Sequence, residues 1–418
     1  MSDPATAATG RIGIIADDLT GAMDTGLQLA KRGLEVLVCI HPARLPEAQA
    51  VVVDTETRAL EASVAYRRVA EVARAMVGWR VYKKIDSTMR GNIGYELRAL
   101  LQVLQPRAVV VAPAFPQGGR TTLHGRQLVN GRPLHLTYLA HDPRWPMHEA
   151  HIPTLLMQQA GREVGWLGLE QLAEGVKATA HALASRPEPL LVVDALSDEH
   201  LTILARALVS LGDAWIPCGS AGLAEAWGEA SGWASSQALP PPLPDARPAL
   251  LVSGSRSDVV RTQLEHVLAS GRIARLDLAA RGVFDAPDEV ARLTRACLAA
   301  LDEDVDVVLT SSFTPLVAGA GVTVARILGE VAAGVIAARE LAGVCLTGGD
   351  IAMAFCEALG VQALRILHEV QPGIPGGELV GGRGTGLKVV TKAGGFGDAH
   401  ALCDVLAYLH GQTRSTTR

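Results

Sequence analysis

The chain has 418 residues, of which 49% are hydrophobic and 19% charged. That composition supports sizeable cores and excludes wholesale disorder. Acidic residues (43) slightly outnumber basic ones (38), giving a net charge of −5; this excludes a general attraction to nucleic acid or anionic membrane, and 4% aromatics supply no base-stacking platform.

The first ten residues, MSDPATAATG, lack the basic and apolar regions of a signal peptide. Apolar runs such as Ala108–Phe115 are shorter than the ~20 residues that cross a bilayer. Six cysteines (Cys39, Cys218, Cys297, Cys345, Cys356, Cys403) form no C-x-x-C pair and read as buried thiols in a reducing compartment. A soluble, cytoplasmic protein is expected.

Arg11–Ala16 reads as a strand, and Thr20–Arg32 carries Met23, Leu27 and Ala30 at helical spacing. Between them stand Asp17 and Asp18. Two carboxylates at a strand end suit a general base with a polar or Mg²⁺-water partner; equally, Asp18 or Thr20 is a natural helix cap. Leu34–Ile40 and Ala50–Asp54 are the next strands. The second ends in Asp54-Thr-Glu-Thr-Arg58, where Arg58 can clasp a carboxylate in bidentate fashion or simply start a surface helix. Val81–Asp86 then brings Lys83, Lys84 and Asp86, followed by Ser87-Thr-Met-Arg90-Gly-Asn92. Charges placed directly behind an apolar strand are suited to neutralising a carboxylate or a phosphoryl group. After the strand Ala108–Ala112, Pro113–Thr122 reads as a shaped loop or an ordinary turn. His141, His148 and His151 lie close in sequence, but Pro143, Pro146 and Pro153 interrupt any shared helix face, so a polar loop is preferred to a metal site. Leu190–Asp194 continues the strand series.

Leu239–Pro248 holds five prolines in ten residues and is read as an extended linker. It separates a domain at 1–238 from one at 249–418. In the second, strands at Ala249–Ser253, Val305–Thr310 and Gly343–Thr347 are each followed by helical pattern. The fold class is therefore α/β, with two domains, each a mostly parallel sheet flanked by helices. Three strand-to-helix junctions are rich in Gly and Ser: Ser253-Gly-Ser255, Gly348-Gly349-Asp350 and Gly394-Gly395-Phe-Gly397. Such junctions aim backbone N–H groups at phosphates. Neither a G-x-x-x-x-G-K-[ST] loop nor a G-x-G-x-x-G after the first strand occurs. A metal-dependent hydrolase and a non-catalytic sugar-acid sensor are the rival classes, although neither needs a nucleotide site.

Taken together, IADDLTGAMDTG, DTETR, KKIDSTMRGN, APAFPQGGRTT, SGSRS, LTGGDIA and TKAGGFGD resemble the four-carbon acid sugar kinase family, in the family's order from Ile14 to Asp398. The resemblance implies an ATP-dependent kinase that phosphorylates the C4 hydroxyl of a tetronic acid with Mg²⁺, the first domain binding the acid and the second ATP. By position, Asp17, Asp18, Arg58, Lys83, Lys84, Asp86, Ser87 and Arg90 fall on the acid side, with Asp17, Asp18 and Arg90 as catalytic candidates. Ser253, Ser255, Gly348, Gly349, Asp350, Gly394, Gly395 and Gly397 fall on the nucleotide side. Asp24-Thr-Gly26 and the Ala-Gly-Gly-Phe-Gly close look more like D-threonate and D-erythronate kinases than 3-oxo-tetronate kinases, and D-threonate giving 4-phospho-D-threonate is the expected reaction. The implied partners are the acid and ATP, with a homodimer compatible and no nucleic acid or membrane.

Overall fold

The computed structural model describes residues 10–40, 42, 44–142, 145–233, 242–315, 317 and 319–412. They fall into two compact units, one within 1–37 and 41–236, the other within 38–40 and 237–418.

In the first unit the elements are β1 (Ile12–Ala16), α1 (Leu19–Ala30), the first two residues of β2 (Val36–Ile40, the rest of which counts with the second unit), β3 (Ala50–Asp54), α2 (Ala62–Ala75), β4 (Arg80–Lys84), α3 (Ile93–Leu104) and β5 (Ala108–Ala112). There follow β6 (Arg120–Leu123), β7 (Arg126–Val129), β8 (Arg132–Pro133), α4 (Ile152–Ala160), β9 (Val164–Leu167), α5 (Leu169–Ala173) and α6 (Val176–Ala184). The unit closes with β10 (Leu190–Val193), α7 (Asp198–Leu211), β11 (Trp215–Gly219) and α8 (Ala221–Ala230). Strands run in the order β3-β1-β4-β11-β5-β10-β9, all pairs parallel. β1, β3, β5 and β10 are buried at every position, which is why they read as unbroken apolar runs rather than alternating ones. Two helix layers cover them: α2 packs on α3 and α3 on α4, while α1 packs on α8 and α8 on α7. The segment after β5 turns into a three-stranded antiparallel sheet, β6-β7-β8. Its first hairpin turn, His124-Gly125, has both residues at positive φ, as a two-residue turn of this hand requires. Asp194, just past β10, accepts both turn N–H groups (2.6 and 2.8 Å) and the Trp166 indole N–H (3.0 Å).

The second unit comprises β12 (Ala249–Ser253), α9 (Asp258–Ala269), β13 (Ile273–Asp277), α10 (Ala286–Asp302), β14 (Asp306–Thr310) and α11 (Gly321–Ala338). It continues with β15 (Gly343–Thr347), α12 (Gly349–Leu359), β16 (Ala363–Gln371), β17 (Ile374–Val380), β18 (Lys388–Lys392) and α13 (Ala401–Leu409). The order is β13-β14-β12-β15-β18-β17-β16. β17 runs antiparallel to both neighbours, so the sheet is mixed at one end. Gly377 lets it do so: a Cβ there would lie 1.9 Å from the Arg365 carbonyl oxygen of β16. α10, α11 and α12 form one layer and α9 with α13 another.

Two expectations need adjustment. Leu239–Pro241 of the anticipated linker lie outside the described residues. Its remainder forms neither helix nor strand and is held to the second unit, with Lys388 Nζ donating to the Leu243 carbonyl (2.7 Å) and Asp245 N–H to that of His410 (3.0 Å). Moreover, among the described residues α11 is long and apolar enough to cross a membrane, a run the sequence reading passed over. It packs against α10, α12 and β12, and Ile327, Leu328, Val331 and Val335 are fully buried, as a core helix requires.

Candidate active site

The carboxyl ends of β3, β1 and β4 are adjacent, with Ala16 opposite Asp54 and Ile15 opposite Lys83. The chain leaving β3 folds back over β1: Thr55 N–H bonds the Ala16 carbonyl (2.9 Å), and Thr57 and Arg58 N–H both bond that of Asp17 (3.0 and 3.2 Å). This fixes Arg58 above the two aspartates. Its Nε and Nη2 grip Asp17 (2.7 and 2.9 Å) while Nη1 and Nη2 grip Asp18 (3.0 and 2.7 Å). One guanidinium thus bridges two carboxylates in two bidentate pairs, the geometry for which Arg is suited. Gly91, at φ +105°, permits it: a Cβ there would meet Arg58 Cγ at 3.1 Å. Asn92 anchors the same turn by donating to the Thr57 and Leu60 carbonyls (2.8 and 2.7 Å).

Asp17 and Asp18 differ in access. The Asp17 side chain is 1% exposed and that of Asp18 24%. Burial pushes the Asp17 carboxyl up, but Arg58, aided by Lys83 and Lys84, outweighs it and holds the group below its ordinary value. Asp18 also caps α1, accepting from Gly21 N–H (3.1 Å), so capping and pairing with Arg58 coexist. Lys84, 5% exposed, brings its ammonium beside this cap: a Cβ on Gly21 would lie 2.6 Å from both Lys84 Nζ and Asp18 Oδ1.

Asp86 accepts Arg90 Nε (2.7 Å), Nη2 (3.2 Å) and backbone N–H (3.2 Å), and the Thr88 hydroxyl. Burial opposes its ionisation, yet Arg58 and Arg90 hold it well below the carboxylate range. Arg90 also reaches Asp142 (3.4 Å). Ser87 adjoins this pair, its carbonyl accepting from Gln127 (2.6 Å). Asp54 behaves in the opposite way. Burial, then repulsion from Asp18, Glu56 and Asp17, raises its pKa well above normal, and its Oδ2 has no hydrogen-bond partner among the described residues.

Two of the expected substrate-binding residues are engaged by the protein's own groups. Lys83 was expected to hold substrate, but it is 0% exposed and points to the opposite side of β4 from Lys84. Its Nζ lies 2.8 Å from Glu96 Oε2, also 0% exposed, and donates to the carbonyls of Lys84 (2.7 Å) and Ile15 (3.3 Å). The ammonium is thus held within the protein, among groups of β1, β4 and α3. Arg58 was expected to clasp a substrate carboxylate; its forks are instead engaged by Asp17 and Asp18. As for the histidines, His151 immediately precedes α4 and bonds Thr154 (2.7 Å), while His141 ends a 3₁₀ turn; among the described residues no group of three or more metal-ligating side chains converges.

In the second unit, β12, β15 and β18 are neighbours, so the three Gly/Ser junctions meet at one sheet end. Ser257 caps α9 and donates to the Gly394 carbonyl (3.0 Å), and Gly394 approaches Ser255 so closely that a Cβ would sit 2.7 Å from its Oγ. Ser312 Oγ donates to the Ser255 carbonyl (2.6 Å) and lies 3.4 Å from Ser253 Oγ. Gly348, at φ +113°, turns β15 into α12 with no side-chain cap of its own. Asp350 stands exposed in that first turn, and Gly395 and Gly397 complete the loop after β18.

A family model described as a sugar-binding N-terminal domain matches residues 12–227, and one described as a nucleotide-binding C-terminal domain matches 250–402. The chain is 36% identical to the D-threonate kinase of Salmonella typhimurium over 95% of its length and 97% of that protein. The chain belongs to the four-carbon acid sugar kinase family. A D-erythronate kinase of Heliobacterium modesticaldum is 31% identical, covering 95% of this chain and 96% of that one. A solved Salmonella typhimurium LT2 structure matches with a TM-score of 0.79 and 26% identity, covering 94% and 98% of the two chains.

Several residues that shape this family member's two clusters escaped the sequence reading: Glu96, Gln127, Asp194 and Gln263. Gln263, 0% exposed, donates to the carbonyls of Phe396 (3.1 Å), Gly397 (3.2 Å) and Asp398 (2.8 Å), fastening the glycine loop to α9. A single polar residue within a helix carries no periodic signal of such a role.

Proposed function

We propose that this chain transfers the γ-phosphoryl group of ATP to the C4 hydroxyl of D-threonate, giving 4-phospho-D-threonate. The observation that carries the reading is the full-length similarity to D-threonate kinase. The paired aspartates under one guanidinium support it, because phosphoryl transfer asks for positioning and charge balance more than covalent chemistry.

In this reading Asp18, the accessible aspartate, accepts the proton of the C4 hydroxyl, and Arg58 orients it. Asp17 is the buried counter-ion that keeps Arg58 in place. Lys84 and Arg90, with Ser87 beside them, meet the substrate's carboxylate and hydroxyls. The second unit's loops receive the phosphates through Ser253, Ser255 and the backbone N–H groups at Gly348–Asp350 and Gly394–Gly397. Mg²⁺ would ride on the phosphate oxygens, as it commonly does at such sites, and when bound it neutralises their charge.

The test is an ADP-release assay across D- and L-threonate, D- and L-erythronate and 3-oxo-tetronate. D-Threonate is expected to give the highest kcat/KM, by at least roughly tenfold, since a site that hydrogen-bonds a hydroxyl rejects its misplacement strongly. Preference for another tetronate would overturn the substrate assignment, and no ADP release with any of them would overturn the kinase reading.

A further inference from the structure

One buried cation in the second unit has no counter-charge among the described residues. Lys392 ends β18 and is 1% exposed, yet among the described residues no carboxylate pairs with it. Its Nζ donates to the carbonyl of Ala393 (3.1 Å), so the ammonium sits where the strand opens into the Gly394–Gly397 loop. In register, Lys392 lies beside Thr347, Thr347 beside Ser253, and Ser253 beside Thr310. In-register residues of parallel strands share a face. Lys392 therefore closes a buried polar row along the strand ends that carry all three Gly/Ser junctions. The elements packed against β18 bring Cys345 on β15, Asp350 and Glu357 on α12, Glu378 on β17, and Cys403, Asp404 and Tyr408 on α13; Cys345 acts on Lys392 electrostatically.

A buried lysine without an anion is costly in the empty protein. Natural proteins keep such a group where a ligand supplies the missing charge. We propose that Lys392 is a ligand of the nucleotide's phosphates, which provide the counter-ion the fold omits. The inference rests on the second unit being the nucleotide site. Burial lowers the free lysine to about 8, whereas a phosphate partner restores it toward the ordinary 10.5. Nucleotide binding then takes up a proton in mildly alkaline solution, where ADP itself no longer titrates. Cys345, pushed up to about 12 by burial, stays silent there.

The experiment is calorimetry of ADP binding to the full chain at pH 7 and pH 9, each in two buffers of different ionisation enthalpy. Wild type is expected to take up little at pH 7 and roughly 0.8 proton at pH 9, with affinity falling roughly tenfold between pH 8 and 9.5. Lys392→Met is expected to bind ADP at least tenfold more weakly at pH 7, with no proton uptake and a flat pH dependence. ADP binding by wild type without uptake at pH 9, or equal uptake by the variant, would overturn the role of Lys392 and leave the nucleotide site standing. No ADP binding by wild type at either pH would overturn the nucleotide site itself, and this inference with it.

Discussion

Asp18→Asn is expected to lower kcat by roughly 10²–10⁴-fold, the usual contribution of a general base, with the melting temperature almost unchanged. Asn caps a helix as well as Asp, so the bond from Gly21 N–H survives, and the Asp18 side chain is partly open to water. Asp17→Asn is expected to do the reverse in stability. It removes a carboxylate that is 1% exposed and held by two hydrogen bonds from Arg58. Breaking a buried pair costs about 3–5 kcal/mol, or roughly 6–15 °C in a unit of this size. Arg58 would keep its grip on Asp18, so part of the catalytic geometry persists. Steady-state ADP release and thermal melts on the same preparations separate the two. A stable Asp17→Asn protein that is inactive, beside an active Asp18→Asn protein, would exchange the roles. The pH dependence has a definite sign. Because the folded protein holds Asp17 and Asp86 below their ordinary values, their contribution to stability is present above the unfolded carboxyl pKa. It is lost as pH falls through the folded values.

The sheet strands were legible because burial on both faces leaves no alternation to confuse with a helix: Ala50–Asp54, Ala108–Ala112, Ala249–Ser253 and Gly343–Thr347 were read with the bounds the structure shows. The antiparallel pair β16 and β17 was not read, although the Pro-Gly turn after Gln371 is a plain hairpin signal; half-buried residues and two glycines inside β17 hid it. At the candidate site the sequence brought Asp17, Asp18, Arg58, Asp86 and Arg90 to neighbouring strand ends. It did not say which charges pair with one another. That depends on the fold-back of residues 55–58 and on strand parity, which sends Lys83 and Lys84 to opposite faces of β4. The partner of Lys83 lies on α3, thirteen positions away, where nothing local distinguishes Glu96 from a surface glutamate.

That parity leads to the second large effect. Lys83→Met is expected to destabilise the first unit by about 3–5 kcal/mol, because it leaves Glu96 without its cation in a site with no exposure. Burial works against the charge on Lys83, and Glu96 with Asp17 holds its pKa above the ordinary value all the same, so Lys83 is charged in the folded protein. Glu96→Leu alone should be as harmful, leaving the ammonium stranded. The double variant Lys83→Met/Glu96→Leu replaces the pair with apolar groups of similar size, a change that is often neutral or stabilising, and most of the lost stability should return. Denaturant melts of the four proteins give the coupling between the two residues. Activity then decides between structure and chemistry. If Lys83 only holds β4 against α3, the double variant regains substrate turnover along with its stability. If Lys83 touches the sugar acid, the double variant folds well and stays inactive, and the assignment of Lys83 to the core would fall.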